Sequence, residues 1–268
     1  MTTSKFRYTL KPERLHETVL KLKTFSASVL PASVDLRPRC PPVYDQGALS
    51  SCTANAIVAA YQVDDSSFMG SRLFLYYCER AALGTIATDN GAYISTGINA
   101  LKSLGMPAET TWPYVPTNFA VAPPAAAYTE ALNHKVINAT NLALDMDQMK
   151  GSLAAGFPII VGITIYASFE GPVEMHTGKI PMPTPGEAVL GGHAILVVGY
   201  NDNDKTWICR NSWGSGIMDK GYFYLPYDYL SAQENIASDL WNISAVTPEP
   251  TPAPKPSPAP IPCGCDIA

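Results

Sequence analysis

Residues 44–56 read YDQGALSSCTANA, and this stretch decides the fold. A glycine-containing loop leads into a helical pattern that begins at Cys52 and continues to about residue 64, with one apolar face. A thiol at the N-terminus of a helix faces unpaired backbone N–H groups and the positive end of the helix dipole, and both lower its pKa. Cys52 is therefore either a reactive thiol or a buried structural cysteine, and this segment alone does not distinguish the two.

Two later stretches carry the side chains that such a thiol would need. His193 precedes an apolar run, and Asn211 follows a short β-rich run. Each alone is ordinary, since a histidine beside an apolar run is usually a core residue and an asparagine at a strand end is usually a turn residue. Together, the imidazole can take the thiol proton and later protonate a leaving amine, while the asparagine oxygen orients the ring. Gln46 can aim its amide at Cys52, and Trp213 can shield the His193–Asn211 hydrogen bond.

The remaining patterns predict an α+β chain with helices first and strands later. A second helix is predicted over 93–104, closed by Gly105. Short β-branched or aromatic runs predict strands at 159–165, 194–200, 206–210 and 221–225. Helices and strands that segregate along the chain favour two lobes, and the cleft between lobes is a natural ligand site.

Both ends of the chain differ from its body. From residue 248 to residue 262 every second residue is proline, which predicts an extended spacer. The charged N-terminal stretch carries Leu15, Val19 and Leu22 at helical spacing. We therefore predict an N-terminal extension over 1–32, a folded domain over 33–246 and a proline-rich, cysteine-containing tail over 247–268.

Composition argues against several classes of function. The 268 residues carry 18 Lys+Arg against 23 Asp+Glu, a net charge of -5, without a basic stripe, which is a poor match to nucleic-acid binding. No apolar window is long enough for a transmembrane helix, and the first thirty residues lack the apolar core of a secretory signal. The cysteines and histidines form no zinc-binding pattern. We expect no metal, no cofactor, no nucleic-acid partner and no membrane span.

The order Gln46, Cys52, His193 and Asn211-Ser212-Trp213-Gly214 resembles that of the papain-like (C1) cysteine peptidases. His193 lies 141 residues after Cys52, within the separation expected for that family. The resemblance covers nearly the whole body of the chain. Further matching runs are 30–37, which resembles the start of the mature enzymes, 89–92, which resembles their glycine loop, and 105–114.

This resemblance implies a fold and four roles. The fold would be papain-like, with a mainly helical lobe, a β-barrel-like lobe and the active-site cleft between them. Cys52 would be the nucleophile and His193 the general base and acid, with Asn211 orienting the ring. The Gln46 side chain and the Cys52 backbone N–H would form the oxyanion hole.

The resemblance also implies a peptide or protein substrate that pairs with the backbone of this chain. Gly91 would pair with the substrate backbone like an added strand, and Ala92 and Gly192 are also expected to bind substrate. The two glycines before His193 let another group approach it closely. The expected activity is that of an endopeptidase that hydrolyses peptide bonds through a thioester acyl-enzyme. Two other functions stay open: a silent peptide-binding module, and an acyl-transfer enzyme that uses the same triad.

One departure from the family is informative. The chain has Leu49 and Thr53 where many relatives have a half-cystine and a tryptophan, so the usual disulfide next to the nucleophile cannot form. This favours a divergent bacterial or viral branch and a cytoplasmic or non-classically exported protein. Cys78 is expected to pack in the core, and Cys209 either to be buried in a strand or to pair with Cys40.

The two ends suggest partners. In this family an N-terminal extension commonly blocks the cleft until it is removed, so residues 1–32 are expected to act as an intramolecular inhibitor, or propeptide, of a zymogen; the alternative is a disordered leader. The proline-rich tail is either a solvated stalk or a tether that docks an unknown partner.

Overall fold

A computed structural model describes residues 6–13, 30–231 and 236–246 of the chain. The predicted helical pattern around Leu15 and the proline-rich tail lie outside these residues. The predicted domain boundaries at residues 32 and 246 and the expected compartment stay predictions.

The first half of the domain is mainly helical, as the sequence predicts. Its central helix is almost wholly buried because its side chains are small or apolar on every face, and it packs on its helical neighbours and on the sheet. The helices are α1 (Cys52–Asp64), α2 (Arg72–Ala82), α3 (Ile94–Ser103), α4 (Ala125–Ala131), α5 (Met146–Ala154) and α6 (Pro172–Thr177).

The second half contributes most of an antiparallel sheet. The strands are β1 (Ser33–Asp35), β2 (Val136–Leu142), β3 (Ile159–Tyr166), β4 (Val189–Asn201), β5 (Thr206–Arg210), β6 (Tyr222–Pro226) and β7 (Ala237–Val246). The strand order is β2-β7-β3-β4-β5-β6, and β1 pairs with β4. The long central strand β4 packs on α1, so the junction of the two halves runs between them.

The predicted elements are confirmed to within a few residues, and the α+β class is confirmed with them. The helix predicted over 93–104 spans Ile94–Ser103, and Gly105 follows it with a φ of +75°, where glycine is favoured. Strands β1, β2 and β7 were not predicted. Strand β2 has the mixed sequence VINATNL, which lacks clean alternation and gives no period-two signal.

The cysteines and one histidine complete the account of the core. Cys78 and Cys209 are buried, Cys40 is half-buried, and all three are free thiols, so no Cys40–Cys209 bridge forms. The sequence around His134 predicts a surface or loop role, and the residue does lie in a loop. It is nevertheless buried, because its ring stacks on Phe68 with the ring centres 3.6 Å apart. Within the described ranges no helix is long and apolar enough to cross a membrane.

Candidate active site

Cys52 is the first residue of α1, at the mouth of the cleft and only 1% exposed. The preceding loop, residues 45–51, is here called the nucleophile loop. Its turn is made by Gly47, at a φ of +58°, whose N–H donates to the Asp45 carboxylate over 2.8 Å. As the first helical residue, Cys52 has a backbone N–H without an intrahelical acceptor.

Gln46 is fixed by the strand-like pairing of residues 44–46 with residues 212–214. The Gln46 N–H donates to the Ser212 carbonyl and the Gly214 N–H to the Tyr44 carbonyl, each over 2.8 Å. The Ser212 hydroxyl donates to Gln46 Oε1 over 2.5 Å, and Gln46 Nε2 donates one hydrogen to the Leu49 carbonyl over 2.9 Å. Because Gln46 Oε1 accepts from Ser212, the side-chain amide is held in one of its two orientations. Nε2 then keeps a second hydrogen for another acceptor.

His193 lies in β4, and its partner Asn211 lies just after β5. His193 Nε2 donates to Asn211 Oδ1 over 3.0 Å, which fixes the ring tautomer with its proton on Nε2. Trp213 stacks on the imidazole with the ring centres 4.9 Å apart and shields this bond from water. The other nitrogen, Nδ1, is buried without a hydrogen-bond partner among the described residues.

The two sides of the cleft meet at the thiol. The Cys52 sulfur lies against the backbone N–H of Ala194, the residue that follows His193. Burial raises the pKa of the Cys52 thiol to about 12 and lowers the pKa of His193 to about 4. Thiol and imidazole are therefore both neutral in this state.

The expectation of a lowered thiol pKa is thus wrong for this form of the molecule. The helix N-terminus is present as predicted, but burial of Cys52 outweighs the backbone N–H groups of Cys52 and Thr53, which lower its pKa. The sequence around residue 52 cannot reveal this, because a separate segment of the chain covers the site.

That cover is formed by residues 6–13, here called the cleft segment. The Leu10 N–H donates to the Gly192 carbonyl over 3.0 Å, and the Lys11 N–H donates to the Ala92 carbonyl over 3.2 Å. Gly91, at a φ of +67°, lies so close to the Thr9 carbonyl that a Cβ would overlap it. All three residues predicted to bind substrate, Gly91, Ala92 and Gly192, therefore contact this segment.

Side chains of the cleft segment bind both walls of the cleft. Phe6 stacks on Trp213 at 4.0 Å, and the Tyr8 ring contacts His193 edge-on at 6.1 Å. Leu10 is 7% exposed and belongs to the hydrophobic core. The segment therefore covers the imidazole and occupies the path that a substrate would need.

Polar anchors hold the cleft segment as well. The Tyr8 hydroxyl donates to the Glu170 carboxylate, and Glu13 accepts from the Ser95 hydroxyl. Arg7 forms an ion pair with Asp89, with 3.5 Å between nitrogen and oxygen.

Sequence reasoning missed three side chains around the site: Ser212, Glu170 and Asp89. Ser212 could have been found, because it follows Asn211 directly in the matching motif. Asp89 lies in the run 89–92 that matches the glycine loop, but its partner Ser50 is far away in sequence, and Glu170 lies in no matching run. In the part of the chain that the structure describes, no three His, Cys, Asp or Glu side chains are grouped so as to hold a metal ion.

The sequence matches a known family over most of its length. Residues 30–240 match the model of the papain family cysteine protease. An uncharacterized peptidase C1-like protein of Acanthamoeba polyphaga mimivirus is 41% identical over 251 residues, covering 84% of this chain and 80% of the relative. A cathepsin B-like protein of Giardia intestinalis, CP3, is 30% identical over 223 residues, covering 75% and 70%.

A solved structure agrees with these matches. Xylellain, a cysteine protease from Xylella fastidiosa, superposes with a TM-score of 0.82 at 36% identity, over 88% of this chain and 95% of that one. A viral and a bacterial protein are thus among the similar proteins, as the missing half-cystine led us to expect. The chain belongs to the papain family of cysteine proteases.

Proposed function

We propose that this papain-family peptidase is an endopeptidase that uses Cys52, His193 and Asn211 as its triad and is made as a zymogen. The observation that carries the proposal is the His193–Asn211 hydrogen bond beneath Trp213, opposite a thiol at a helix N-terminus. Endopeptidase activity is favoured because the chain has only four histidines and no inserted loop with paired histidines of the kind that closes an exopeptidase cleft.

In the proposed reaction, the proton of Cys52 passes to His193 Nδ1 and the thiolate attacks the scissile carbonyl carbon. The carbonyl electron pair moves onto oxygen, where the Cys52 N–H and the second Gln46 Nε2 hydrogen stabilise it. The pair returns as the C–N bond breaks, and the imidazolium protonates the leaving amine. Water then gives a proton to His193 and attacks the thioester, which releases the acid and the thiol.

The test is turnover and labelling of the full chain, with Cys52→Ala and His193→Ala as variants. We expect an epoxysuccinyl peptide to form an adduct that maps to Cys52 and peptide hydrolysis to vanish in both variants. Asn211→Ala should lower kcat by about 100-fold and leave KM within a few-fold, because the ring is still present but no longer held.

Three outcomes would contradict this proposal. Activity that survives Cys52→Ala excludes the nucleophile. A protein that shows no labelling and no turnover after the cleft segment is displaced would be a peptide-binding module. Products that carry an added amine in place of water indicate acyl transfer.

The zymogen proposal rests on the cleft segment and on the neutral pair beneath it. Displacing the segment would return water to Cys52 and His193, which moves the two pKa values towards each other and favours thiolate and imidazolium. The cover would therefore act twice, by blocking substrate and by holding the nucleophile in its unreactive thiol form.

The covered form should open in acid. Its His193 has a pKa of about 4, below the ordinary value of 6.5, so an exposed imidazole binds a proton more readily than the covered one. The stability of the cover is fully present above pH 6.5 and is lost as pH falls towards 4. We expect labelling of the full chain to rise over this interval and labelling of a chain that begins at Leu30 not to rise; equal rates at every pH would contradict an inhibitory role.

A further inference from the structure

The nucleophile loop is held without a disulfide, and its contacts show how. Leu49, which replaces the half-cystine, is buried, and Ser50 beside it is fully buried. The Ser50 N–H donates to both carboxylate oxygens of Asp89, over 3.0 and 3.2 Å, and the Ser50 hydroxyl donates to the Asp89 carbonyl over 3.1 Å. Asp89 thus binds Ser50, two residues before Cys52, through both its side chain and its backbone.

Asp89 is also the first residue of the glycine loop, residues 89–92. The Tyr76 hydroxyl donates to Asp89 Oδ1 over 2.6 Å and accepts from the Gly91 N–H over 3.3 Å. Arg80 supports the preceding residues, since its guanidinium donates to the Ile86 carbonyl over 2.6 Å. The carboxylate therefore joins the loop that leads to the nucleophile to the loop that contacts the cleft segment.

The opposite edge of the same carboxylate faces the cleft. Arg7 reaches Asp89 Oδ2 at 3.5 Å, and the Asp89 side chain keeps 16% exposure whereas that of Arg7 keeps 55%. Arg80 is a permanent cationic neighbour of Asp89, whereas Arg7 is present only while the cleft segment is bound.

We infer that Asp89 is a positioning residue with two functions: it holds the nucleophile loop against the glycine loop, and it receives Arg7 as a latch when the cleft segment covers the site. The inference concerns the regulation of the proposed active site and rests on the proposed function. The Asp89 carboxylate would supply the rigidity that a disulfide would give to the nucleophile loop. The same carboxylate would also bind Arg7 of the inhibitory cleft segment.

The holding function is tested by turnover in the full chain. Reference and variants all carry Phe6→Ala and Leu10→Ala, which weaken the cleft segment, and active sites are counted by epoxysuccinyl labelling. Asp89→Ala should lower kcat per labelled site by roughly tenfold or more with KM within about twofold, because a displaced nucleophile loop misplaces both the thiol and the oxyanion donors. Asp89→Asn keeps an oxygen that accepts from Ser50 and Tyr76, so its kcat should stay within about threefold.

A matched control is Asp65→Ala. Asp65 also accepts from a backbone N–H and a hydroxyl, both of Ser67, but it lies beyond the end of α1. Its kcat should equal that of the reference. If Asp89→Ala does not fold, Tyr76→Phe removes the hydroxyl shared by Asp89 and Gly91, and kcat should fall in the same way. Unchanged kcat in the folded variants overturns the holding function.

The latch is tested by a double-mutant cycle in the otherwise unaltered full chain. Arg7→Ala and Asp89→Asn should each speed epoxysuccinyl labelling of Cys52 by about twofold to fivefold, the range of a partly exposed ion pair. The double variant should label no faster than either single variant, because both remove one interaction. Additive effects, or no effect of Arg7→Ala, overturn the latch.

These results separate the inference from the proposed function. Loss of all turnover in Cys52→Ala together with normal turnover in Asp89→Ala overturns the inference alone. A reference protein that neither labels nor hydrolyses peptide overturns the proposed function.

Discussion

The two walls of the cleft, one behind Cys52 and one behind His193, differ in the kind of side chain that supports them. Behind Cys52 lie buried ionisable side chains: Glu79 accepts from the Thr53 hydroxyl over 2.6 Å, and Arg72 lies between the Tyr44 and Tyr114 rings. Behind His193 lie aromatic rings that meet edge to face. In that cluster Trp213 contacts Phe169 at 5.9 Å, and Phe169 contacts Phe223 at 5.3 Å.

Because of this difference, the two walls should lose stability in response to different changes. Buried charges and hydrogen bonds respond to pH and to the loss of one partner, whereas packed rings respond to volume. The nucleophile wall, which lacks the disulfide of its relatives, is therefore the polar one. Three substitutions test this comparison. The free energy of unfolding of each is measured in urea, in the full chain that also carries Cys52→Ala to prevent self-digestion.

The largest effect is expected for Arg72→Leu. The guanidinium is 8% exposed, donates to Glu109 over 3.0 Å and to Asn55 over 3.2 Å, and stacks between two tyrosines. Its loss removes a cation from the half-buried Glu109 carboxylate and a buried side chain from between two rings, which should lower the free energy of unfolding by about 3 kcal/mol. A loss below about 1 kcal/mol would show that the charge does not brace this wall.

A smaller, pH-dependent effect is expected for Glu79→Gln. Burial raises the pKa of Glu79 from 4.5 to about 8. The unfolded chain releases this proton above pH 4.5 while the folded chain keeps it to about pH 8, so the wild-type chain loses stability as pH rises between these values. Glutamine removes that loss, and we expect the variant to gain about 2 kcal/mol relative to wild type between pH 4.5 and pH 6.

The pH profile distinguishes this cause from packing. Gly97 lies directly against Glu79 Oε1, so glutamine must fit the same tight space. A constant offset at all pH values would indicate a steric effect, and a difference that does not grow with pH would contradict the raised pKa.

The smallest effect is expected on the other wall, for Phe223→Leu. Phe223 is fully buried on β6 and loses one edge-to-face contact while most of its volume is kept. The free energy of unfolding should fall by about 1 kcal/mol, equally at pH 5 and pH 8 and at low and high salt. A strong dependence on pH or salt would remove the contrast between the walls.

The fold and the reacting groups could be predicted from sequence because their signals are local. Cys52 begins a clear apolar helix pattern, and His193 and Asn211 lie beside recognisable strands. Strand β2 could not be predicted because its polar residues interrupt the alternation of apolar and polar side chains that is typical of a strand.

The state of the site could not be predicted in the same way. The thiol pKa depends on the burial of Cys52 in the folded chain, and the support of the nucleophile loop depends on Asp89, whose partner Ser50 lies 39 residues away. Nothing near Asp89 in the sequence distinguishes a structural carboxylate from a solvated one, because its role arises only when two loops meet.

The way the cleft segment is attached has a kinetic consequence. Residues 6–13 bind the cleft through their own contacts and are joined covalently to the domain through residues 14–29. A cut between the two keeps the contacts of residues 6–13 described above, but it turns an intramolecular equilibrium into a bimolecular one, and the millimolar effective concentration that a covalent link provides disappears. Clipped enzyme should therefore regain activity on dilution and lose it again when the freed peptide is added back at high concentration.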